Sequence, residues 1–155
     1  MSELRSVLLA IDLATRQRDD LARAAAKARR DVGFAQVQMA QLQGYAGDTD
    51  ARWTGSASTG LSTELMRHHY QFMGRLQQAI AMQKDVMENT NRQLALAEKA
   101  LLSAEFRLSG LNRVLETRQA ARLLTQRRRE QRQTDEFASM LHARSTTNPL
   151  RGDAP

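Results

Sequence analysis

The segment VLLAIDLATRQRDDLARAAAKARRDVGFAQVQMAQLQGYA, residues 7–46, decides the fold of this chain. One line of residues within it advances in alternating steps of four and three, and every residue on the line except Arg18 is apolar. This spacing places the apolar side chains along one seam of a long helix, as in a coiled coil, and the seam needs a second helix to cover it. The line consists of Val7, Ile11, Ala14, Arg18, Leu21, Ala25, Ala28, Val32, Ala35, Met39, Leu42 and Ala46.

The rest of the chain divides into a bend, a second helix and a tail. We expect helix one over residues 3–46 and a loop over residues 47–61, because Gly, Ser, Thr and Asp concentrate in the latter segment. Both prolines lie near the C-terminus, so helix two can extend over residues 62–141. The tail, residues 142–155, has the composition of a disordered segment. The sequence thus predicts a single hairpin domain, residues 1–141.

The second helix has a seam of its own. Its line is predicted to pass through Val86, Thr90 and Leu94 in two successive steps of four, which breaks the alternation. Such an insertion indicates a stutter, a local unwinding of the supercoil. The other positions on this line are Leu65, His69, Phe72, Leu76, Ala79, Gln83, Ala97, Leu101, Ala104, Leu108, Leu111 and Leu115.

These two seams predict the fold class and one consequence of it. A short connection between them gives an all-α fold, a long antiparallel two-helix coiled coil (an α-helical hairpin) with a longer second helix. Helix one can cover only the first half of helix two, so Leu123, Leu124 and Phe137 in the other half lack an internal partner. Residues 105–132 contain eight arginines and only three glutamates. We therefore expect this segment to bind an acidic partner.

The chain offers no set of catalytic or metal-binding residues. It has no cysteine, which excludes disulfides and thiolate chemistry and fits a reducing compartment. His68 and His69 are adjacent, so on a helix they point about 100° apart and cannot chelate one ion. We expect no enzymatic activity, no cofactor and no metal. The apolar run over residues 7–11 is too short for a signal peptide or a membrane span, so we expect no direct membrane insertion.

Three local features each allow two interpretations. Arg18 can pair with an acid on helix two and fix the register, or lay its stem along the seam with its charge in water. The apolar residues beside the bend can simply pack the end of the hairpin. Alternatively, because Tyr70 and Phe72 are two residues apart and face different sides, we expect one exposed ring that forms a docking patch beside Leu76 and Ala79. The run of arginines at 127–129 can bind nucleic acid or form a solvated face. No aromatic residue interleaves with it, so we expect no nucleic-acid partner.

Three stretches carry a resemblance to a known family: Gln38-Met-Ala-Gln-Leu42-Gln-Gly-Tyr45, then Tyr70-Gln-Phe72 with Leu76, Ala79 and Ile80, and finally Gln131-Arg-Gln-Thr-Asp135-Glu136-Phe137-Ala138. Together they resemble the FliJ family, the small coiled-coil components of the bacterial flagellar type III export apparatus. The resemblance covers nearly the whole chain. It is most specific in the last stretch, where Asp-Glu-Phe-Ala follows a basic, Gln-rich segment.

The resemblance implies a mechanism and two partners. The end of the rod that carries both termini would insert into the hexameric ring of the export ATPase FliI, as the central stalk does in rotary ATPases. A surface near the bend would bind the transmembrane export gate protein FlhA, and the family also recycles export chaperones. The protein would then be cytoplasmic and associated with the inner face of the cell membrane through the export apparatus.

Particular residues carry these two expected contacts. At the gate-binding surface, the family has a second Tyr and a His where this chain has Thr49 and Gln83. The remaining family residues at that surface match Gln38, Leu42, Tyr45, Phe72, Leu76 and Ala79. We assign the contact with the ATPase ring to the uncovered half of helix two, where charge would steer docking and weaken with salt. The assigned residues are Arg122, Arg127, Arg128, Arg129, Arg132, Asp135, Glu136 and Phe137.

Two alternatives remain open at this stage. A stalk protein of a virulence type III secretion system would share the hairpin and the ATPase partner. From a different functional class, a basic coiled-coil scaffold or nucleic-acid-binding protein would self-associate through the uncovered half of helix two. Such a scaffold would form a compact dimer or tetramer, whereas a stalk would be an elongated monomer.

Overall fold

The computed structural model describes residues 2–56, 60 and 62–147. These residues form two helices, α1 over Ser2–Ser56 and α2 over Thr63–Thr146, and contain no strand. The helices pack against each other as an antiparallel all-α hairpin in which α2 is the longer, so the predicted fold class is confirmed. Of the predicted tail, residues 142–146 are helical, and residues 148–155 lie outside the described part of the chain.

Helix α1 extends to Ser56, whereas the sequence predicted a loop from residue 47. Glycine costs a helix interior only about 1 kcal/mol, so Gly44 and Gly47 do not end the helix by themselves. The seam also continues beyond Ala46, because Thr49 and Trp53 maintain the steps of three and four and both are half-buried. The Trp53 indole stacks on the His69 imidazole of α2, with ring centroids 3.9 Å apart. This contact supports the last turns of α1.

Helix α2 begins with a side-chain cap. The Leu65 backbone N–H donates to the Ser62 hydroxyl oxygen at 3.3 Å, and the Met66 N–H donates to the Ser62 carbonyl at 3.1 Å. The bond to the Ser62 hydroxyl satisfies an N–H group that has no backbone partner in the first turn of a helix, and the bond to the Ser62 carbonyl is the first i→i−4 bond of α2. Glu64 adds a negative charge near the positive end of the helix dipole.

The chain forms two compact units. The larger comprises residues 13–108, and its core is a layer of small and medium side chains between the helices. Its buried residues are Ala14, Ala25, Ala35 and Met39 of α1 with Leu76 and Leu108 of α2. The smaller comprises residues 1–12 and 109–155; in it Val7 is buried, and Leu4, Leu111 and Leu115 are half-buried.

The seam of α2 has no stutter, contrary to the prediction. Phe72 and Val86 are 49% and 45% exposed, whereas the neighbouring Met73 and Met87 are half-buried. The half-buried line therefore alternates steps of four and three without interruption from His69 to Leu108. The prediction failed because each position offered two adjacent apolar residues, and hydrophobicity alone does not tell which one faces the partner helix.

Polar side chains also connect α1 and α2 within the larger unit. Arg29 and Glu98 form an exposed ion pair, with Nε and Oε1 3.4 Å apart, and such pairs add little stability. Gln83 makes a part-buried hydrogen-bonded contact with α1. The Arg18 guanidinium pairs with Asp19 of its own helix at 2.8 Å, and Arg18 is half-buried at its seam position.

Candidate interaction surfaces

The residues predicted to bind the export gate meet on one surface of the larger unit, which we call the bend surface. The register follows from two cross-helix contacts, Trp53 with His69 and Gln38 with Gln83. In an antiparallel pair, this register brings Leu42 level with Ala79 and Tyr45 level with Leu76. The bend surface consists of Gln38, Leu42, Tyr45, Phe72, Leu76 and Ala79.

Four residues of the bend surface form one edge of the hairpin. Gln38 and Tyr45 each immediately precede a seam residue of α1, as Phe72 and Ala79 do in α2. In an antiparallel coiled coil, equivalent flanking positions of the two helices lie side by side along the same edge. The edge therefore carries two exposed rings, because Tyr45 is 65% and Phe72 49% exposed. Exposed rings with a polar neighbour are typical of protein-binding surfaces.

The exposure of Tyr70 and Phe72 differs from the prediction that only one ring is exposed. Tyr70 is 67% exposed, and Phe72 is also largely solvated because Met73 takes the seam position. The buried member of the bend surface is Leu76, at 9% exposure. Leu76 thus belongs to the helix interface and supports the surface from below.

Gln83 is a residue of this region whose role the sequence did not show. Its side-chain Nε2 donates to the Ala35 carbonyl oxygen at 3.0 Å and to Gln38 Oε1 at 3.3 Å. Both acceptors lie on α1, and Gln83 is half-buried at a seam position of α2. A polar residue on an apolar line, with a glutamine on the facing helix, was the only signal in the sequence.

A second surface lies on residues 116–147, which we call the arm. Every residue of the arm is exposed. Glu3 and Leu4 of the first turn of α1 line one groove together with Arg118, Ala121 and Arg122. Because α1 begins at Ser2, this groove marks the last part of α2 that lies beside α1. Among the described residues, α2 then continues alone for about 24 residues, or about 36 Å.

The seam line of α2 changes from apolar to cationic where the arm begins. Continuing the steps of three and four beyond Leu111 and Leu115 leads to a line that we call the cationic line. Since these positions would face a partner helix in a longer hairpin, charge there disfavours an apolar helix and favours an acidic surface. The cationic line consists of Arg118, Arg122, Thr125, Arg129 and Arg132.

The structure does not bring all the predicted ring-binding residues onto one face. Arg122, Arg129 and Arg132 lie on the cationic line, and Glu136 continues it. Arg128 and Arg127 lie one and two residues before Arg129, so they point about 100° and 200° away from it. Asp135 and Phe137 also lie off the line, and Phe137 is 64% exposed.

The smaller unit also contains an apolar groove beside the first turns of α1. Its volume is about 720 Å³, and Leu4, Leu8 and Leu9 line it together with Arg5 and Arg122. Leu8 and Leu9 are 51% and 65% exposed. The groove therefore adds apolar area next to the start of the cationic line.

The described residues lack two further features. None of their helices is long and apolar enough to span a membrane. No three His, Asp or Glu side chains among them lie close enough together to hold a metal ion.

Comparison with known proteins identifies the family. The family model described as "Flagellar FliJ protein" matches residues 3–147. The flagellar FliJ protein of Salmonella typhi is 27% identical over 127 residues, which cover 82% of this chain and 86% of that protein. The flagellar FliJ protein of Escherichia coli K12 is 25% identical over 138 residues, covering 89% and 94%. This chain belongs to the FliJ family and is a component of the flagellar export apparatus.

Proposed function

We propose that this chain is a non-catalytic, stalk-like coiled coil that binds the hexameric export ATPase FliI through the arm and the gate protein FlhA through the bend surface. Two properties of the arm support the proposal that it binds FliI. Its seam positions are cationic, and no part of the described chain covers it beyond Arg122. The exposed rings of Tyr45 and Phe72 support the proposal for FlhA. Through these partners the protein would work at the inner face of the cell membrane.

The two proposed interfaces use different physical chemistry. The arm presents a line of charges that attract an acidic surface at long range, so its contacts should weaken as salt increases. The bend surface presents apolar rings, whose contribution depends on buried area and is far less sensitive to salt. We also propose a third role, in recycling export chaperones, which rests only on what the resemblance to the family implies. The match to the flagellar family favours the flagellar over the virulence system.

A double dissociation of binding tests this proposal. One variant carries Arg122→Glu, Arg129→Glu and Arg132→Glu, and another carries Tyr45→Ala and Phe72→Ala. Purified FliI and detergent-solubilised FlhA are offered separately to each variant and to the wild-type chain. We expect the first variant to lose FliI and keep FlhA, and the second to keep FliI and lose FlhA.

Unchanged capture of FliI by the arginine variant would reject the arm as the ATPase-binding element. Unchanged capture of FlhA by the aromatic variant would reject the bend surface. Circular dichroism of both variants should match the wild-type chain, because all five substituted residues are exposed. Sedimentation of the free chain addresses the scaffold alternative: a compact dimer or tetramer would contradict a monomeric stalk.

A further inference from the structure

The amide of Gln83 fixes the orientation of a second amide. The Ala35 carbonyl can only accept a hydrogen bond, so the Gln83 atom 3.0 Å from it is the donor nitrogen. The same nitrogen lies 3.3 Å from Gln38, and its other hydrogen needs an acceptor there. The Gln38 atom that faces Gln83 is therefore Oε1. The acceptor carbonyl of Ala35 thus determines which amide atom of Gln83, and then of Gln38, is the donor and which is the acceptor.

This order leaves the amide nitrogen of Gln38 as a donor. The described chain shows no hydrogen bond from Gln38 Nε2. The nitrogen is also not enclosed, because the described residues include no buried side-chain nitrogen or oxygen without a partner. Gln38 thus offers an N–H donor to a molecule outside the chain, from a side chain whose other end is already held.

The position of this donor is beside the exposed rings. Gln38 lies seven residues before Tyr45 and therefore on the same side of α1. It shares the edge of the hairpin with Phe72 and Ala79 of α2. A donor fixed in place at the edge of an apolar surface is the arrangement that gives such a surface its specificity, since a partner must supply a matching acceptor.

We propose that Gln83 is a positioning residue that orients Gln38 so that the Gln38 amide N–H₂ donates to an acceptor oxygen of the gate protein. This inference rests on the proposed binding of FlhA by the bend surface. Gln83 itself is half-buried between the helices and acts through Gln38. Immobilising the Gln38 side chain before binding also reduces the conformational entropy lost when the complex forms.

The substitution Gln38→Glu tests the donor of residue 38 without removing the acceptor that Gln83 bonds to. A carboxylate keeps the acceptor for Gln83, so the hairpin should retain its melting temperature, but it removes the donor to the partner. We expect the affinity for detergent-solubilised FlhA to fall about tenfold or more, as for a buried acceptor left unpaired. The variant Gln83→Leu leaves the Gln38 amide donor in place but removes the hydrogen bond that orients it. It also places a typical seam residue between the helices. It should be at least as stable as the wild-type chain and bind FlhA more weakly.

A double-mutant cycle tests whether Gln83 acts through Gln38. The variant with both Gln38→Glu and Gln83→Leu should bind FlhA no more weakly than Gln38→Glu alone, because the second change has no donor left to orient. Additive losses would show that Gln83 acts independently and would overturn the positioning role. Wild-type affinity of Gln38→Glu would overturn the donor role.

The variant Phe72→Ala distinguishes this inference from the function on which it rests. If Phe72→Ala weakens FlhA binding while Gln38→Glu and Gln83→Leu do not, the bend surface stands and the inference fails. If none of the three variants weakens binding, the bend surface is not the gate-binding site and both fail. Melting temperatures measured by circular dichroism on the same samples separate loss of fold from loss of contact.

Discussion

The indole of Trp53 lies flat against the imidazole of His69, with ring planes 2° from parallel and centroids 3.9 Å apart. Trp53 is in the last turn of α1, and His69 is in the second turn of α2. The stack therefore joins the two helices next to the bend. It also explains why α1 persists through a segment rich in glycine, serine and aspartate, where the sequence predicted a loop.

Replacing His69 with alanine should loosen the bend end of the hairpin. Aromatic pairs contribute about 0.5–1.5 kcal/mol beyond their buried area, so we expect the free energy of unfolding to fall by about 1 kcal/mol. Urea denaturation followed by circular dichroism measures this change. The chain has a single tryptophan, so its fluorescence should shift at the same time toward that of a solvated indole. As a matched control, His68→Ala at the adjacent exposed position should change neither signal.

The uninterrupted seam of α2 leads to opposite expectations for two adjacent residues. Met87 is half-buried, and Lys in its place would put a charge at the helix interface, so Met87→Lys should lower the free energy of unfolding by about 1–2 kcal/mol. Val86 is 45% exposed, and Val86→Lys should cost less than about 0.5 kcal/mol. The stutter predicted from the sequence requires the reverse order, so denaturation of the two variants decides between them.

The glycines of the extended α1 segment should be replaceable. Gly44 and Gly47 are helical, and an added Cβ would meet nothing within 4 Å, so Gly→Ala at each position should stabilise the chain by about 0.5–1 kcal/mol. Gly60 has a φ of +74°, where alanine is strained, so Gly60→Ala should be destabilising instead. A loss of thermal stability in the Gly44 and Gly47 variants would indicate that α1 ends before them, as the sequence predicted.

The sequence determined the architecture better than its details. Alternating steps of three and four identified the seam of α1 and most of the seam of α2, because this pattern is a direct consequence of helix geometry. The short connection predicted the antiparallel hairpin, and the position of both prolines near the C-terminus allowed the longer second helix. The end of α1 was missed because its support comes from one cross-helix contact, between Trp53 and His69. Adjacent apolar pairs such as Phe72 and Met73 were assigned to the wrong side because only packing against α1 distinguishes them.

The two interaction surfaces differ in how many of their features could be predicted from the sequence. Excess positive charge in the second half of α2 was visible from composition. The alignment of Arg122, Arg129 and Arg132 with the apolar seam required the correct heptad, which became clear from burial in the structure. The bond from Gln83 to Gln38 joins residues 45 positions apart, and no local pattern reveals such a pair.

The arm should bind with one face rather than with all its arginines. The variant Arg127→Glu/Arg128→Glu reverses two charges that lie off the cationic line, and Arg129→Glu/Arg132→Glu reverses two that lie on it. We expect the second pair to weaken FliI binding at least tenfold more than the first at about 0.1 M salt, where the Debye length is about 10 Å. Equal losses of affinity from both pairs would indicate that FliI responds to the net charge of the arm and not to one face of it.

Stimulation of the FliI ATPase tests the central claim most directly, that the arm is the element gripped by the export ATPase. The wild-type chain, titrated into purified FliI, should raise ATP hydrolysis, and the variant Arg122→Glu/Arg129→Glu/Arg132→Glu should give no stimulation while keeping its helix content. A control with the same change in net charge, Arg30→Glu/Arg67→Glu/Arg92→Glu, alters exposed positions outside both surfaces and should stimulate like the wild-type chain. Full stimulation by the cationic-line variant would contradict the account.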